Sequence, residues 1–297
     1  MNRHKFTHAS IFICITAVLL IISSSVWAQD TGITNLERLN FPLTSYEAIG
    51  RADVLPREPE AALFVLVDQT VGFSREIMYR AGEAILEWMR PGRYIEIIRF
   101  SSAVRGRYAE RVLCGLIDPE PPRGFESNLR RSEWMRFQRL HAEQPIIART
   151  QVRRALEDIM RSANRNIPHS DIIATITYVS DHIRNFHARR KVLFIISDML
   201  ENSSITSFYS RGHVRLIDPD EELRRVRREG FQANFGGNVT VYVLGLGYFW
   251  GGEGAARERY LDPQRARRIA QFWKSYFEAG NATVGEIGMP MMYGSLE

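Results

Sequence analysis

Two carboxylates in this chain stand where a strand is expected to end. In Ala62-Leu-Phe-Val-Leu-Val-Asp68-Gln-Thr70 an unbroken apolar run stops at a carboxylate and then a hydroxyl, and Lys191-Val-Leu-Phe-Ile-Ile-Ser197-Asp198 repeats that form. Apolar runs of this length, rich in β-branched residues, read as buried central strands of a parallel sheet that deliver polar groups to its carboxyl edge. Folds of this kind place their ligand chemistry at that edge. Asp68 and Asp198 are therefore expected on one surface, where their mutual repulsion favours a cation or a basic group between them. Nucleophilic catalysis finds no support, because the seven histidines form no metal-spaced pair and no serine sits in a nucleophile elbow.

Alternating strands and helices must hold those two groups in place. The spacing Ile77, Ala81, Ala84, Ile85, Trp88 predicts an amphipathic helix closed by Pro91-Gly92, followed by a strand over Tyr94–Phe100. Val104–Leu113 follows too closely for a crossover, so it reads as an antiparallel edge strand. Ser170-Asp171 opens a helix whose apolar face is Ile172, Ile176, Val179, Ile183 and Phe186, and a short charged helix spans Pro219–Arg228. Val239–Gly247 is a further central strand, Asp262-Pro263 starts a last helix that Gly280 stops, and Ala282–Ile287 adds one more strand. The class is α/β, a three-layer, doubly wound, mainly parallel sheet with one antiparallel edge strand.

Composition narrows the field. An apolar share of 45% against 25% charged supplies material for a core and makes disorder a poor default. Residues 1–28 read as a secretory signal, with Arg3 and Lys5 ahead of the apolar run Ile11–Ile22 and a Val26-Trp27-Ala28 cleavage pattern. The chain is thus expected in the periplasm or secreted. The competing reading is an uncleaved anchor helix, the one route here to a membrane, although the run is short for a span. Cleavage leaves 37 basic against 34 acidic residues, a balance of +3 that is too mild to demand a nucleic-acid partner. It also separates Cys14 from Cys114, so no internal disulfide forms and Cys114 reads as a small buried hydrophobe.

Residues 29–60 carry no strong periodicity and read as an N-terminal leader packed loosely on a domain spanning 61–297. Residues 118–165 differ in composition: prolines at the entry, then many arginines interleaved with acids over a stripe of Val152, Leu156, Ile159 and Met160. They read as a salt-bridge-laced helical insertion with a solvated face, or a face for an acidic partner. Nucleic acid is not expected there, because the acids balance the charge and few aromatics, such as Trp134 and Phe137, are interleaved.

The ordered set Val65-Leu-Val-Asp68-Gln-Thr70, Ile97-Ile-Arg-Phe100-Ser101-Ser102, Ser170-Asp171-Ile-Ile, Phe194-Ile-Ile-Ser-Asp198-Met-Leu-Glu201-Asn202 and Tyr242-Val-Leu-Gly245-Leu-Gly247 resembles a von Willebrand factor type A domain over about residues 61–287. The resemblance implies Mg²⁺ or Mn²⁺ at the carboxyl edge, with Asp68 and Asp198 as carboxylate ligands and Thr70 and Ser170 as hydroxyl ligands. The family's second loop serine is Gly72 here, and Ser74 comes two residues too late to replace it. Without a metal, Ser170 reads as an N-cap, Thr70 as a tie within its loop and Asp198 as a cap for the segment after it.

Two functional expectations follow. The first is a non-enzymatic module that captures a protein partner at the metal edge, where a partner's carboxylate completes the coordination in this family. Tyr248, Phe249 and Trp250, flanked by glycines, would add contact area there, or else fold back over the domain. The second is a Mg²⁺-dependent phosphatase of haloacid-dehalogenase type with Asp68, Ser101, Lys191 and Asp198 in its four roles, although Lys191 lies at the wrong end of its strand.

Overall fold

The computed structural model describes residues 38–104, 107–163, 170–249 and 259–297. Its elements in chain order are α1 (Ser45–Ala48), β1 (Ala61–Asp68), α2 (Arg75–Trp88), β2 (Arg93–Val104), β3 (Arg107–Leu116), α3 (Arg131–Arg161), α4 (Ile172–Asn185), β4 (Lys191–Ile196), β5 (Tyr209–Ser210), β6 (His213–Val214), α5 (Pro219–Arg228), β7 (Val239–Leu244), β8 (Tyr248–Phe249), β9 (Arg259–Tyr260), α6 (Pro263–Ala279) and β10 (Thr283–Ile287). Six strands form one sheet in the order β10-β7-β4-β1-β2-β3, parallel throughout except for the antiparallel β2–β3 pair. No helix among the described residues is long and apolar enough to cross a membrane.

Every residue of β1 and of β4 is buried, as expected of central strands covered on both faces. The two-residue pleat then sorts the side chains. Ala62, Phe64 and Leu66 face a core built with α4, α5 and α6, whereas Leu63, Val65 and Val67 face α2 and the second half of α3. This is the three-layer α/β architecture that the alternating pattern predicts.

Two expectations need correction. The leader from Arg38 onward is not loosely packed. Leu39 bridges to Cys114, the Phe41 ring lies so close over Gly115 that a Cβ there would collide with it, and Ser45 N–H donates to both carboxylate oxygens of Asp118. Tyr46 joins Phe125 and Phe137 in an aromatic cluster with centroids 5.4 and 4.9 Å away. The arginine-rich segment is helical, yet it is not a separate appendage: Ala148, Val152, Leu156 and Ile159 of α3 complete the core beside α2. Ion pairs within α3 among the described residues are those of Arg161 with Glu157 and Asp158, so packing rather than a charge lattice orders this helix.

Candidate functional site

Register decides which polar groups meet at the carboxyl edge. In the parallel pair of β1 and β4, Val67 lies opposite Ile196, so the next residues, Asp68 and Ser197, come level. The Ser197 hydroxyl accordingly donates to Asp68 Oδ2 at 2.8 Å while accepting from Met199 N–H at 3.0 Å. Oδ1 of Asp68 accepts from Thr70 twice, from its N–H at 2.8 Å and its hydroxyl at 2.6 Å. The Thr70 hydroxyl lies 3.4 Å from that of Ser170, which also reaches Asp68. Ser170 is held in place by paired backbone bonds to Asn202, so the loop after β4 and the entry to α4 are tied together.

Asp198 begins the turn out of β4. Its Oδ1 accepts from Leu200 N–H at 2.9 Å and its carbonyl from Gly247 N–H, while Met199 adopts φ +58° and its carbonyl takes the indole N–H of Trp273. Gly245 lets the strands close at this point: with φ +107°, a Cβ would stand 2.7 Å from Phe73 and 3.0 Å from the Ser197 carbonyl. The structure thus brings Asp68, Thr70, Ser170 and Asp198 to one edge and adds Ser197, whose position only the register reveals.

Burial dominates the electrostatics of this edge. Burial pushes the Asp68 carboxyl above its usual range against the pull of four hydrogen bonds. Burial, and then the charge of Asp68, raise Asp198 further. Burial followed by these two aspartates also raises the Tyr209 phenol, which puts Tyr209 within the field of the site. Among the described residues, no lysine, arginine or histidine pairs with either carboxylate.

The donor set suits a hard divalent cation, since two carboxylates and neighbouring hydroxyls supply oxygen alone. Gly72 contributes no side chain to it. Ser74 does not fill the gap, because its hydroxyl caps α2 by accepting from Ile77 N–H. Ser170 is not the cap of α4, contrary to that alternative. Asp171 holds the N-cap position, and Glu201 supplies the acceptor, taking the Ile173 N–H at 2.8 Å. Glu201 is fully buried, and desolvation pushes its pKa up to about 8.

Tyr248 is fully buried, its ring 5.6 Å from Phe73 and 6.0 Å from Tyr260. Its expected role in direct partner contact is therefore corrected, for it braces the loop between Asp68 and Ser74 from inside. The Phe249 side chain and Trp250 lie outside the described residues. Lys191 stands at the opposite end of β4, level with Ala62, and donates to the carbonyls of Ile183, Arg184 and Phe186. The phosphatase assignment fails on this point, because six residues of strand, about 20 Å, separate that level from Asp68.

No family model matches the chain, and no curated protein does. Among solved structures, an aerotolerance-related membrane protein from Bacteroides fragilis NCTC 9343, bearing multiple mutations to serine, is similar at 14% identity and TM-score 0.34 over 75% of this chain and 90% of its own. BatB, a conserved hypothetical protein from Bacteroides thetaiotaomicron, gives 14% identity and 0.34 over 76% and 90%. The pilus adhesin SpaC from Lactobacillus rhamnosus GG gives 12% identity and 0.37 over 77% of this chain and 28% of the adhesin.

Proposed function

We propose that this chain is an exported, von Willebrand A-like interaction module that binds an acidic group of a protein partner at the carboxyl edge of its sheet through Mg²⁺ or Mn²⁺. The observation that carries the reading is the convergence of Asp68 and Asp198 with three hydroxyls and no basic neighbour among the described residues. A divalent cation would offset the burial that raises both carboxyls and the charge of Asp68 that raises Asp198 further. Asp68, Thr70, Ser170 and Asp198 would hold it, and Ser197 and the Thr70 N–H would orient Asp68. Such a cation supplies a positive, oxygen-seeking centre. With no side chain at Gly72, water and a carboxylate of the partner are left to fill its remaining positions. Phe249 and Trp250 are the proposed apolar contribution beside it. Export rests on the signal-like residues 1–28.

Thermal unfolding of the full mature chain with and without Mg²⁺, Mn²⁺ or chelator tests the first step, and crosslinking in the exporting compartment tests the second. The expected result is a melting point raised by the cation in the parent but not in Asp198→Ala, with chelator and that substitution losing the same crosslinked protein. A melting point and a crosslinking pattern both indifferent to chelator and to Asp198→Ala would overturn the proposal.

A further inference from the structure

The opposite end of the sheet holds a basic cavity that the carboxyl-edge reading leaves unused. Arg93 opens β2 opposite Ala61, and Arg190 immediately precedes the residue that pairs with Ala62, so two guanidiniums flank the start of β1. Both lie against the Trp88 indole, 4.5 Å (Arg93) and 5.2 Å (Arg190) from a ring centroid. With Arg90 they line a cavity of about 250 Å³ that Trp88 also borders.

Three features of this cavity are unsatisfied. Trp88 is only 2% exposed, yet its Nε1–H has no hydrogen-bond partner, an unfavourable state for a buried donor. Glu87 and Glu297 line the same space, but among the described residues no carboxylate comes within 4.0 Å of any of the three guanidiniums. Burial, then Arg190 and Arg90, hold the Arg93 guanidinium below its ordinary pKa, against the weaker opposing pull of Glu60 and Glu297. Three guanidiniums and the carboxylates of Glu87 and Glu297 therefore share this cavity without closing an ion pair with one another.

We propose that this cavity binds a small oxyanion, phosphate or carboxylate in class, held by the guanidiniums of Arg90 and Arg190 and by the N–H groups of Arg93 not given to the Trp88 carbonyl. Guanidinium groups match both anions by paired, charge-assisted hydrogen bonds.

The full mature chain, titrated at constant ionic strength with sodium phosphate and separately with sodium acetate, provides the test, read by calorimetry and tryptophan fluorescence. Saturable binding is expected, weakened roughly tenfold or more in Arg190→Gln and in Arg90→Gln, neither of which removes a side-chain hydrogen bond. Melting points of the variants in anion-free buffer, and their unchanged response to Mg²⁺, separate this site from the carboxyl edge and confirm that they fold. Phosphate binding above acetate assigns a tetrahedral anion, and the reverse assigns a carboxylate. No saturable binding of either anion, or binding undiminished in both arginine variants, would overturn the proposal.

Discussion

The two ends of the central strands resolve charge in opposite ways. At the amino end, buried Lys191 places its ammonium among three carbonyls at the close of α4, where the helix dipole is negative, and Arg93 and Arg190 rest on the face of Trp88. At the carboxyl end the matching device, the amide end of α4, is already occupied by Glu201. Among the described residues, Asp68 and Asp198 receive hydroxyls and two amides but no helix terminus and no basic side chain. Lys191 at one end is thus accommodated by the fold itself, while the two aspartates at the other share a site whose repulsion an external ligand would relieve. The aspartate edge is therefore the one where a divalent ion would have most to gain.

The largest expected effect tests whether the carboxyl end is strained. Glu201 holds its proton up to about pH 8 when folded, against an ordinary value of 4.5, so between those values the folded state binds more protons than the unfolded one. Stability should therefore fall as pH rises through that window and level off above it, by roughly 5 kcal/mol for this group. Asp118, raised to about 6 mainly by burial, adds to the fall in its lower part. Glu201→Gln should remove this group's share of the slope measured by denaturant unfolding in chelator, leaving the shares of Asp118, Asp68 and Asp198, which are raised in the same direction. A parent whose stability is level from pH 5 to 8 would break the comparison.

Next in size is the apolar wall between the ends. Ile196, fully buried between β1 and β7, should cost about 2–5 kcal/mol on truncation to Ala, read as a lowered denaturant midpoint with the slope unchanged. A loss under about 1 kcal/mol would mean that the strands do not form the closed wall that keeps the two charge sets apart. Saturating cation comes third. Mg²⁺ at 100 times its dissociation constant should add about 2.7 kcal/mol, and none in Asp198→Ala. An equal gain in both would place the ion elsewhere.

Much of this was legible in the residues. The apolar runs of β1, β4 and β7 identify central strands, and the caps Asp218 and Asp262 with the prolines after them fix the starts of α5 and α6. Asp68 and Asp198 could be assigned to one edge because strand exits in a parallel sheet all point one way. Ser197 beside Asp68 could not, since the pairing register depends on both strands at once. Phe41 and Tyr46 stand in a leader without strong periodicity, so nothing local marks them as buried. Their burial depends on Gly115 and on the distant Phe125 and Phe137, a long-range complementarity that no local period carries. Tyr248 failed for a related reason: an aromatic run between glycines suits a surface loop or a brace, and the proximity of Phe73 decides for the brace. Glu201 gave no signal as a cap because it reaches α4 from the loop after β4, well outside the local capping pattern.

The smallest effect is the most discriminating. Asp198→Asn keeps the size and the acceptor that Leu200 N–H uses at Oδ1, yet removes one of the two charges whose proximity raises the Asp198 carboxyl. In chelator at pH 8 the variant should be more stable than the parent by on the order of 1 kcal/mol, because the repulsion is gone and the contacts remain. On adding Mg²⁺ the order should reverse, since the parent gains a ligand-bound state that an amide oxygen supports less well than a carboxylate. Crossing of the two melting curves with cation concentration is the signature of a carboxylate pair kept for a ligand at a cost in stability. If Asp198→Asn is destabilising in chelator, the aspartate serves the turn after β4 and the comparison between the two edges loses its electrostatic basis.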